Sequence, residues 1–244
     1  MEAPQATVVR YRQVLAGKPV LRKLYLDWYC HMKRMLSDAS PTVEVGTGHG
    51  LMAEILTDVI RSDVFPSPYT DLSCDAMNLP FHDESVGNFV MLDVIHHIER
   101  PMRAFVEFSR CLKEGGRIDA AEPYLSPFAK LLFKFHFEEV DFSQELGSLK
   151  ELSSSSDSNP FEGNMALSHK ALVTHTNELL EHIPSLRLIR REISDHIVYP
   201  LSGGFNFPSL VPLWSLSGLQ ALERWTNFLS SLAGFRIIAV FEKY

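Results

Sequence analysis

The sequence has few cysteines, and their spacing indicates neither a disulfide framework nor a zinc site. The three cysteines, Cys30, Cys74 and Cys111, lie far apart and form no C-x-x-C pair. Isolated cysteines of this kind are typical of a reducing compartment. The first residues lack the apolar stretch of a signal peptide, and no apolar run reaches the roughly 18 residues that indicate a membrane span. We therefore expect a cytoplasmic protein with no transmembrane segment and no bound metal.

Positive charge is also scarce. The chain has 23 Lys and Arg against 30 Asp and Glu, a net charge of −7, and no run of basic residues longer than two. Binding to a phosphate backbone usually needs a basic face. The composition disfavours a nucleic-acid partner, tRNA and rRNA included, although a local basic patch would still be compatible with one. The oligomeric state is left open.

The order of predicted elements indicates an α/β fold. With 244 residues, of which 45% are hydrophobic, the chain is long enough for one α/β domain with a cap. Strands alternate with helices, which favours a parallel sheet with right-handed crossovers. Strands are predicted at 42–45, 59–64, 87–94, 117–123, 185–193 and 235–244, and helices from Pro19 to 36, from 51, over 101–116 and over 169–183.

A glycine-rich loop follows the first strand. It has the sequence Glu44-Val45-Gly46-Thr47-Gly48-His49-Gly50. Glycines let the backbone turn sharply and let a ligand approach the main chain. Dinucleotide enzymes usually have G-x-G-x-x-G and bind a pyrophosphate there. The acid before this shorter G-x-G-x-G loop would repel a pyrophosphate and suits a cationic ligand that carries an amino group or a sulfonium. A purely structural strand-to-helix turn is the alternative.

Three further motifs follow the loop in a fixed order. They are DAMNLPF (75–81), VMLDVIHHI (90–98) and RCLKEGG (110–116). Together the four motifs resemble the class I methyltransferases of the type 11 methyltransferase domain family. The resemblance covers about residues 42–123, with a looser likeness to the C-terminus. It implies a Rossmann-like, doubly wound α/β fold with a seven-stranded, mostly parallel sheet, an antiparallel last strand and a helical cap, and S-adenosyl-L-methionine (SAM) as the cofactor.

The resemblance also implies the organisation of the domain. We expect a single methyltransferase domain over 1–244. Its core would comprise about 40–123, 186–194 and 234–244, and its cap segments would be 1–36, 124–185 and 195–233.

Cofactor-binding roles carry over from the family by position. Glycines of the loop would pass beneath the methionine part of SAM, and an acid at the end of the second strand would bind the ribose hydroxyls. Asp75 would accept from the adenine amino group. The stretch from Gly46 to Asp63 is shorter than in the family, so the first helix must be short, and Asp63 could instead be a solvated strand end. The implied set is Glu44, Gly46, Thr47, Gly48, Gly50, Asp63, Asp75, Ala76 and Asp93.

Three residues are candidates for catalysis. Methyl transfer is an in-line displacement in which SAM supplies the reactivity and the protein aligns the groups and removes a proton. His96 follows a strand at the ligand-binding edge, and its alternative is a ring that only packs or caps. Glu122 ends the next strand and would either face substrate or cap a helix. His136, near Glu138 and Asp141, would be a base on the cap or part of a solvated helix edge.

An apolar, aromatic segment at 200–232 completes the sequence-based hypothesis. It lacks the basic face of an interfacial helix, so a substrate pocket or a packed core is favoured over membrane contact. We predict a SAM-dependent methyltransferase that acts on a small-molecule or lipid-like acceptor. One alternative is a cofactor-binding or interaction protein without turnover. Another is a nicotinamide-dependent oxidoreductase, which would leave the DAMNLPF motif unexplained.

Overall fold

The chain folds around one central sheet. The computed structural model describes the backbone of residues 4–136 and 163–244 and the side chains of residues 5–132 and 163–244. The strands are β1 (Thr42–Val45), β2 (Val59–Asp63), β3 (Leu72–Ser73), β4 (Val86–Leu92), β5 (Leu112–Pro123), β6 (Leu186–Ser194) and β7 (Arg236–Lys243). The helices are α1 (Pro4–Gly17), α2 (Pro19–Lys33), α3 (Pro101–Cys111), α4 (Pro127–His136), α5 (Met165–His169), α6 (Thr176–His182), α7 (Val198–Ser202), α8 (Leu216–Trp225) and α9 (Ser230–Ala233).

The sheet has the strand order β3-β2-β1-β4-β5-β7-β6. The pairs from β3 to β5 are parallel, whereas β7 is antiparallel to both β5 and β6. This confirms the predicted seven-stranded, mostly parallel sheet with an antiparallel last strand. The order of the strands reverses between β1 and β4, and in open α/β sheets ligands bind at such a reversal, beyond the carboxyl ends of the strands.

Helices cover both faces of the central strand. Every residue of β4 is buried, as expected for a continuous apolar run in a sheet that is covered on both sides. On one face Phe89 packs against Phe108 of α3, with ring centroids 4.9 Å apart. On the other face Val90 shares a core with α2. The apolar residues of α2 recur at helical spacing and are buried, which confirms the helix predicted after Pro19.

Two predicted helices are wrong in extent. The segment after the glycine loop forms only a 3-10 turn at Met52–Glu54. The helix predicted over 101–116 ends at Cys111, and the two glycines lie within β5. The cause is strand pairing. Leu112 pairs with Val86 at the start of β4, and both side chains are fully buried, so the chain enters the sheet before it reaches the glycine stop signal.

The cap segment after β6 is less buried than its composition suggests. It comprises α7, α8 and α9 with 3-10 turns between them, and Phe205 faces inward. Its two tryptophans, Trp214 and Trp225, are 84% and 78% exposed. The predicted pocket or core therefore accounts for only part of this segment. Within residues 4–136 and 163–244, no helix has both the length and the apolar character needed to cross a membrane.

One core position opposes stability at neutral pH. Asp119, in the middle of β5, is fully buried, and neither of its carboxylate oxygens has a hydrogen-bond partner among the described residues. Burial, together with the nearby Glu192, raises the pKa of Asp119 well above its usual value. A carboxyl whose pKa is raised on folding stabilises the fold below its unfolded pKa, and this contribution is lost as the pH rises.

We therefore predict that Asp119→Asn stabilises the protein at pH 8 by about 2 kcal/mol and has a smaller effect at pH 5, because the charged form of a buried, unpaired carboxylate is costly. Urea unfolding at the two pH values measures this difference. Asp58→Asn, at an exposed position, is the matched control. Equal stabilities of the wild type and Asp119→Asn at pH 8 would contradict the prediction.

Candidate active site

A cavity of about 970 Å³ lies at the carboxyl edge of the parallel strands. Its floor comprises the glycine loop and the residues that follow β2, β3 and β4. Its walls come from α1, α2 and the cap segment. The aromatic lining residues among those described are Tyr11, Tyr25, Tyr29, Phe65, Tyr199, Phe205, Phe207 and Phe235. The cavity therefore lies where the reversal of strand order predicts a ligand.

The three glycines of the loop have different roles. All have positive φ, at +70° for Gly46, +45° for Gly48 and +68° for Gly50. A Cβ atom on Gly46 would lie 2.5 Å from Val94 Cγ2, and one on Gly50 would lie 2.7 Å from Tyr69 Cβ. A Cβ atom on Gly48 would meet nothing closer than a carbonyl oxygen at 3.9 Å. Gly46 and Gly50 thus allow close packing of the loop, whereas Gly48 leaves open space that a ligand can use.

Glu44 lies beneath the loop, outside the cavity lining. Its Oε1 accepts a hydrogen bond from Tyr29 at 3.1 Å, and its Oε2 accepts one from the hydroxyl of Thr47 at 2.6 Å. Burial raises the pKa of Glu44 from 4.5 to about 7. Thr47 lines the cavity. Glu44 thus supports the loop from below through its hydrogen bond with Thr47, and its carboxylate does not line the cavity.

Two predicted carboxylates line the cavity next to the loop. Asp63 ends β2, and its Oδ2 accepts a hydrogen bond from the backbone N–H of Gly48 at 3.0 Å. Burial raises the pKa of Asp63. Asp75 follows β3 and accepts from the N–H of Met77 at 2.8 Å, which fixes its carboxylate at the cavity wall beside Ala76. The structure thus brings these predicted residues together.

Asp93, directly after β4, lines the cavity in a left-handed conformation with φ +60°. It accepts a hydrogen bond from Tyr25 at 2.8 Å and forms an ion pair with Arg236. The guanidinium of Arg236 also lies over the ring of Trp28, 4.0 Å from its centroid. Burial opposes ionisation of Asp93, but the adjacent Arg236 keeps the pKa of Asp93 below its usual value. Asp93 is therefore a fixed, ionised group.

His96 and Glu122 form a buried pair. Glu122 Oε1 accepts from the backbone N–H groups of Val94 and Ile95 at 2.7 and 2.6 Å, and Oε2 lies 2.6 Å from His96 Nδ1. A proton on Nδ1 satisfies this contact and leaves the lone pair on Nε2. His96 lines the cavity, whereas Glu122 does not. Of the two roles considered for Glu122, the structure shows the capping one: it holds the turn and orients His96.

Two further histidines, His97 and His49, line the cavity. His97 stacks beside His96, with ring centroids 4.1 Å apart. Burial lowers the pKa of His97 well below 6.5, and the nearby His96 lowers it further. His49 lies in the glycine loop edge-on to Tyr25, and burial lowers its pKa to about 4. Both rings are therefore neutral at physiological pH. His97, like His96, follows the strand predicted at 87–94, at the edge where ligands bind, whereas His49 is marked only by its place in the glycine-rich motif.

The third predicted catalytic residue lies at the edge of the described structure. His136 ends α4, and its side chain lies outside the described part of the chain. Glu138 and Asp141, its predicted neighbours, also lie outside the described residues. The contribution of Tyr11 and Tyr199 to the cavity wall could not be predicted from a sequence motif, because these residues come from helices far apart in the sequence.

Comparison with known proteins places these residues in a family. Residues 43–118 match the model of the methyltransferase domain family. This stretch contains the glycine loop, Asp63, Asp75, Asp93 and His96. Over this stretch the chain is similar to methyltransferase domains. Glu122 and the cap lie outside the matched region.

Individual relatives are distant. The chain is 26% identical over 117 residues to the mouse protein described as "Probable tRNA methyltransferase 9B", a match that covers 41% of the chain and 26% of the relative. The chain thus spans about a quarter of that relative's length.

Solved structures share the fold. A SAM-dependent methyltransferase from Thermotoga maritima aligns with a TM-score of 0.58 at 17% identity, over 98% of both chains. A chain from the Haloferax volcanii complex of the Trm112 activator with a methyltransferase aligns with a TM-score of 0.54 at 16% identity, over 99% of this chain and 97% of that one. At these identities the likeness concerns the fold alone.

The support that Glu44 gives the loop should depend on pH. Because the pKa of Glu44 is about 7 in the folded state against 4.5 ordinarily, its contribution to stability is complete below pH 4.5 and is lost as the pH rises through 7. We predict that Glu44→Gln removes roughly 3 kcal/mol of the pH dependence of the free energy of unfolding between pH 5 and 8.

Urea titrations at half-unit pH steps measure this slope, with Glu54→Gln as the surface control. If Glu44→Gln and the wild type lose stability in parallel over this range, Glu44 is not the titrating group.

Proposed function

We propose that this chain transfers the methyl group of SAM to a small, uncharged and largely apolar acceptor, with His96 as the general base. The composition of the cavity carries this proposal. Among the described residues, its charged lining side chains are all carboxylates, namely Asp63, Asp75, Asp93 and Glu99, and most of the remaining wall is aromatic or aliphatic. Carboxylates suit the cationic groups of SAM, and the apolar wall suits the acceptor.

The residues present fit the cofactor. Gly48 provides the open space in which the methionine part can approach the loop without meeting a Cβ atom. The carboxylate of Asp63 has the two acceptor oxygens that a vicinal diol requires, and Asp75 would accept from the adenine amino group while the N–H of Ala76 donates to the ring. Asp93 would lie toward the methionine end. The neutral ring of His49 avoids adding a second cation beside the sulfonium.

His96 is the base that the geometry favours. When bound, SAM supplies an electrophilic methyl group, so the protein has to align the acceptor and remove its proton. His96 Nε2 would accept a proton from an O–H or N–H acceptor, and Glu122 would stabilise the resulting imidazolium through Nδ1. Glu122 is thus a positioning residue for His96. Because the pKa of His97 is lowered, His97 is a weak base and does not compete with His96 for the proton of the acceptor.

The acceptor class follows from what the described walls offer. Phosphate and carboxylate groups are usually bound by Arg or Lys, and no described lining residue is either. The mouse relative is named for tRNA, but a tRNA acceptor would need a basic surface, whereas this chain carries a net charge of −7. Phenols, aromatic amines and similar small molecules agree with both the walls and the base.

The cofactor site is tested by Gly48→Val. A β-branched side chain at this position would project into the open space of the loop, and we predict that SAM and S-adenosylhomocysteine no longer bind measurably by calorimetry, whereas the wild type binds both and does not bind NAD. The control is Gly115→Val, which also has positive φ, at +73°, and open space around its Cβ, but lies away from the cavity. Unchanged affinity in Gly48→Val with the fold intact would refute the site.

The base is tested by His96→Gln in an assay of S-adenosylhomocysteine release with a panel of uncharged phenols and aromatic amines. We predict that kcat falls by about 10²-fold or more, since general-base catalysis is worth 10²–10⁴-fold, while cofactor affinity changes little. Glu122→Gln should move the acidic limb of the pH–rate profile to lower pH, because the anion that favours the imidazolium is gone. The exposed His82→Gln is the control. Full activity in His96→Gln would assign proton removal elsewhere.

A further inference from the structure

Lys18 occupies the single-residue link between α1 and α2 and points at another part of the molecule. Its ammonium donates hydrogen bonds to three backbone carbonyl oxygens, those of Gly204 at 2.6 Å, Phe205 at 3.1 Å and Phe207 at 2.5 Å. A lysine has three N–H donors and can satisfy three convergent acceptors, and charge-assisted bonds of this kind are stronger than neutral ones.

The three carbonyls belong to one short stretch, residues 203–208, which we call the cap loop. Every residue of the cap loop lines the cavity. The loop is tightly wound: Gly203 and Gly204 have φ of +72° and +50°, and a Cβ on Gly203 would lie 2.4 Å from the carbonyl oxygens of Phe207 and Pro208. Carbonyl dipoles that converge on one point repel each other unless a cation or donor lies between them, and Lys18 provides that cation.

The same junction connects the cap loop to the glycine loop through α1. Tyr11 of α1 packs on Phe205, with ring centroids 5.0 Å apart. Arg12, one residue on, donates to the carbonyl oxygen of His49 in the glycine loop at 2.9 Å. Tyr11, Phe205 and His49 all line the cavity. The position of α1 thus links two loops that both line the cavity, and Lys18 fixes the cap loop to the end of α1.

We propose that Lys18 is a positioning residue that holds the cap loop against α1. It thereby fixes the part of the cavity wall that the cap loop forms, and it sets the rate at which ligands enter and leave the cavity. The ligand part of this inference rests on the proposed function; the contact between Lys18 and the cap loop does not. Lys18 touches no ligand itself, because it lies behind the loop, outside the cavity lining.

The test compares Lys18→Met with two matched lysine variants in the full chain. Lys33→Met removes a lysine of α2 that also donates to a backbone carbonyl, that of Ile55 at 2.8 Å, and Lys23→Met removes an exposed lysine of the same helix. Hydrogen exchange, followed by mass spectrometry on peptides spanning 199–210 in the ligand-free protein, should be about tenfold faster in Lys18→Met alone. The dissociation rate of S-adenosylhomocysteine should rise by about tenfold in the same variant. These values follow from the loss of charge-assisted hydrogen bonds.

Lys18→Arg provides a second, charge-conserving variant. Its planar guanidinium cannot direct three N–H donors from a single nitrogen toward three converging carbonyls as an ammonium does, so the rate of loop exchange should lie between the rates of the wild type and Lys18→Met. Loop exchange and dissociation rates in Lys18→Met equal to those in Lys33→Met would overturn the inference. If the wild type fails to bind S-adenosylhomocysteine, the proposed function fails, while the exchange of residues 199–210 still decides the role of Lys18.

Discussion

The backbone leaves β4 at Leu92 and turns sharply over the edge of the sheet, where its amide groups are shielded from water and still need acceptors. One carboxylate meets most of that need. Glu122, at the end of the neighbouring strand, accepts from two successive backbone N–H groups and holds the ring of His96. The turn so fixed places Val94 against Gly46, close enough that no Cβ fits there. The shape of the glycine loop therefore depends on a carboxylate two strands away.

The same edge of the sheet also balances charge. The backbone of Asp93 donates to the carbonyl of Ala121 on β5, and its side chain is paired with Arg236 on β7. Arg236 in turn lies on the ring of Trp28 of α2. The carboxylate of Asp93, which lines the cavity, is thereby kept ionised by the guanidinium of Arg236, which does not line it. The acid at the cavity and its buried counterion therefore come from different elements, since Asp93 follows β4 and Arg236 belongs to β7.

The sequence predicted what is local and missed what is brought together from a distance. Asp63, Asp75, Asp93 and His96 could be predicted to lie near one another because the family resemblance places each at or just after the end of a strand, and parallel strands deliver such residues to one edge. Tyr29 as the partner of Glu44, and Lys18 as the partner of the cap loop, could not be found, since no spacing links residues 15 or 186 positions apart. The early end of α3 has a similar cause. Pairing between Leu112 and Val86 outweighs the local glycine signal, because burial of two large side chains in a sheet exceeds a helix-stop preference.

The position of β7 has a consequence for how the molecule assembles. β7 follows β6 in the chain but lies between β5 and β6 in the sheet, and within residues 4–136 and 163–244 β6 pairs with no strand other than β7. A chain that has folded only as far as β5 already contains the glycine loop and Asp93, yet it lacks Arg236, β6 and the aromatic wall of the cap. Such an intermediate has a buried acid without its counterion and half a cavity. Any ligand of this cavity therefore binds the complete sheet and stabilises the native state over partly folded chains. Binding of such a ligand thus reports whether β7 has been inserted into the sheet.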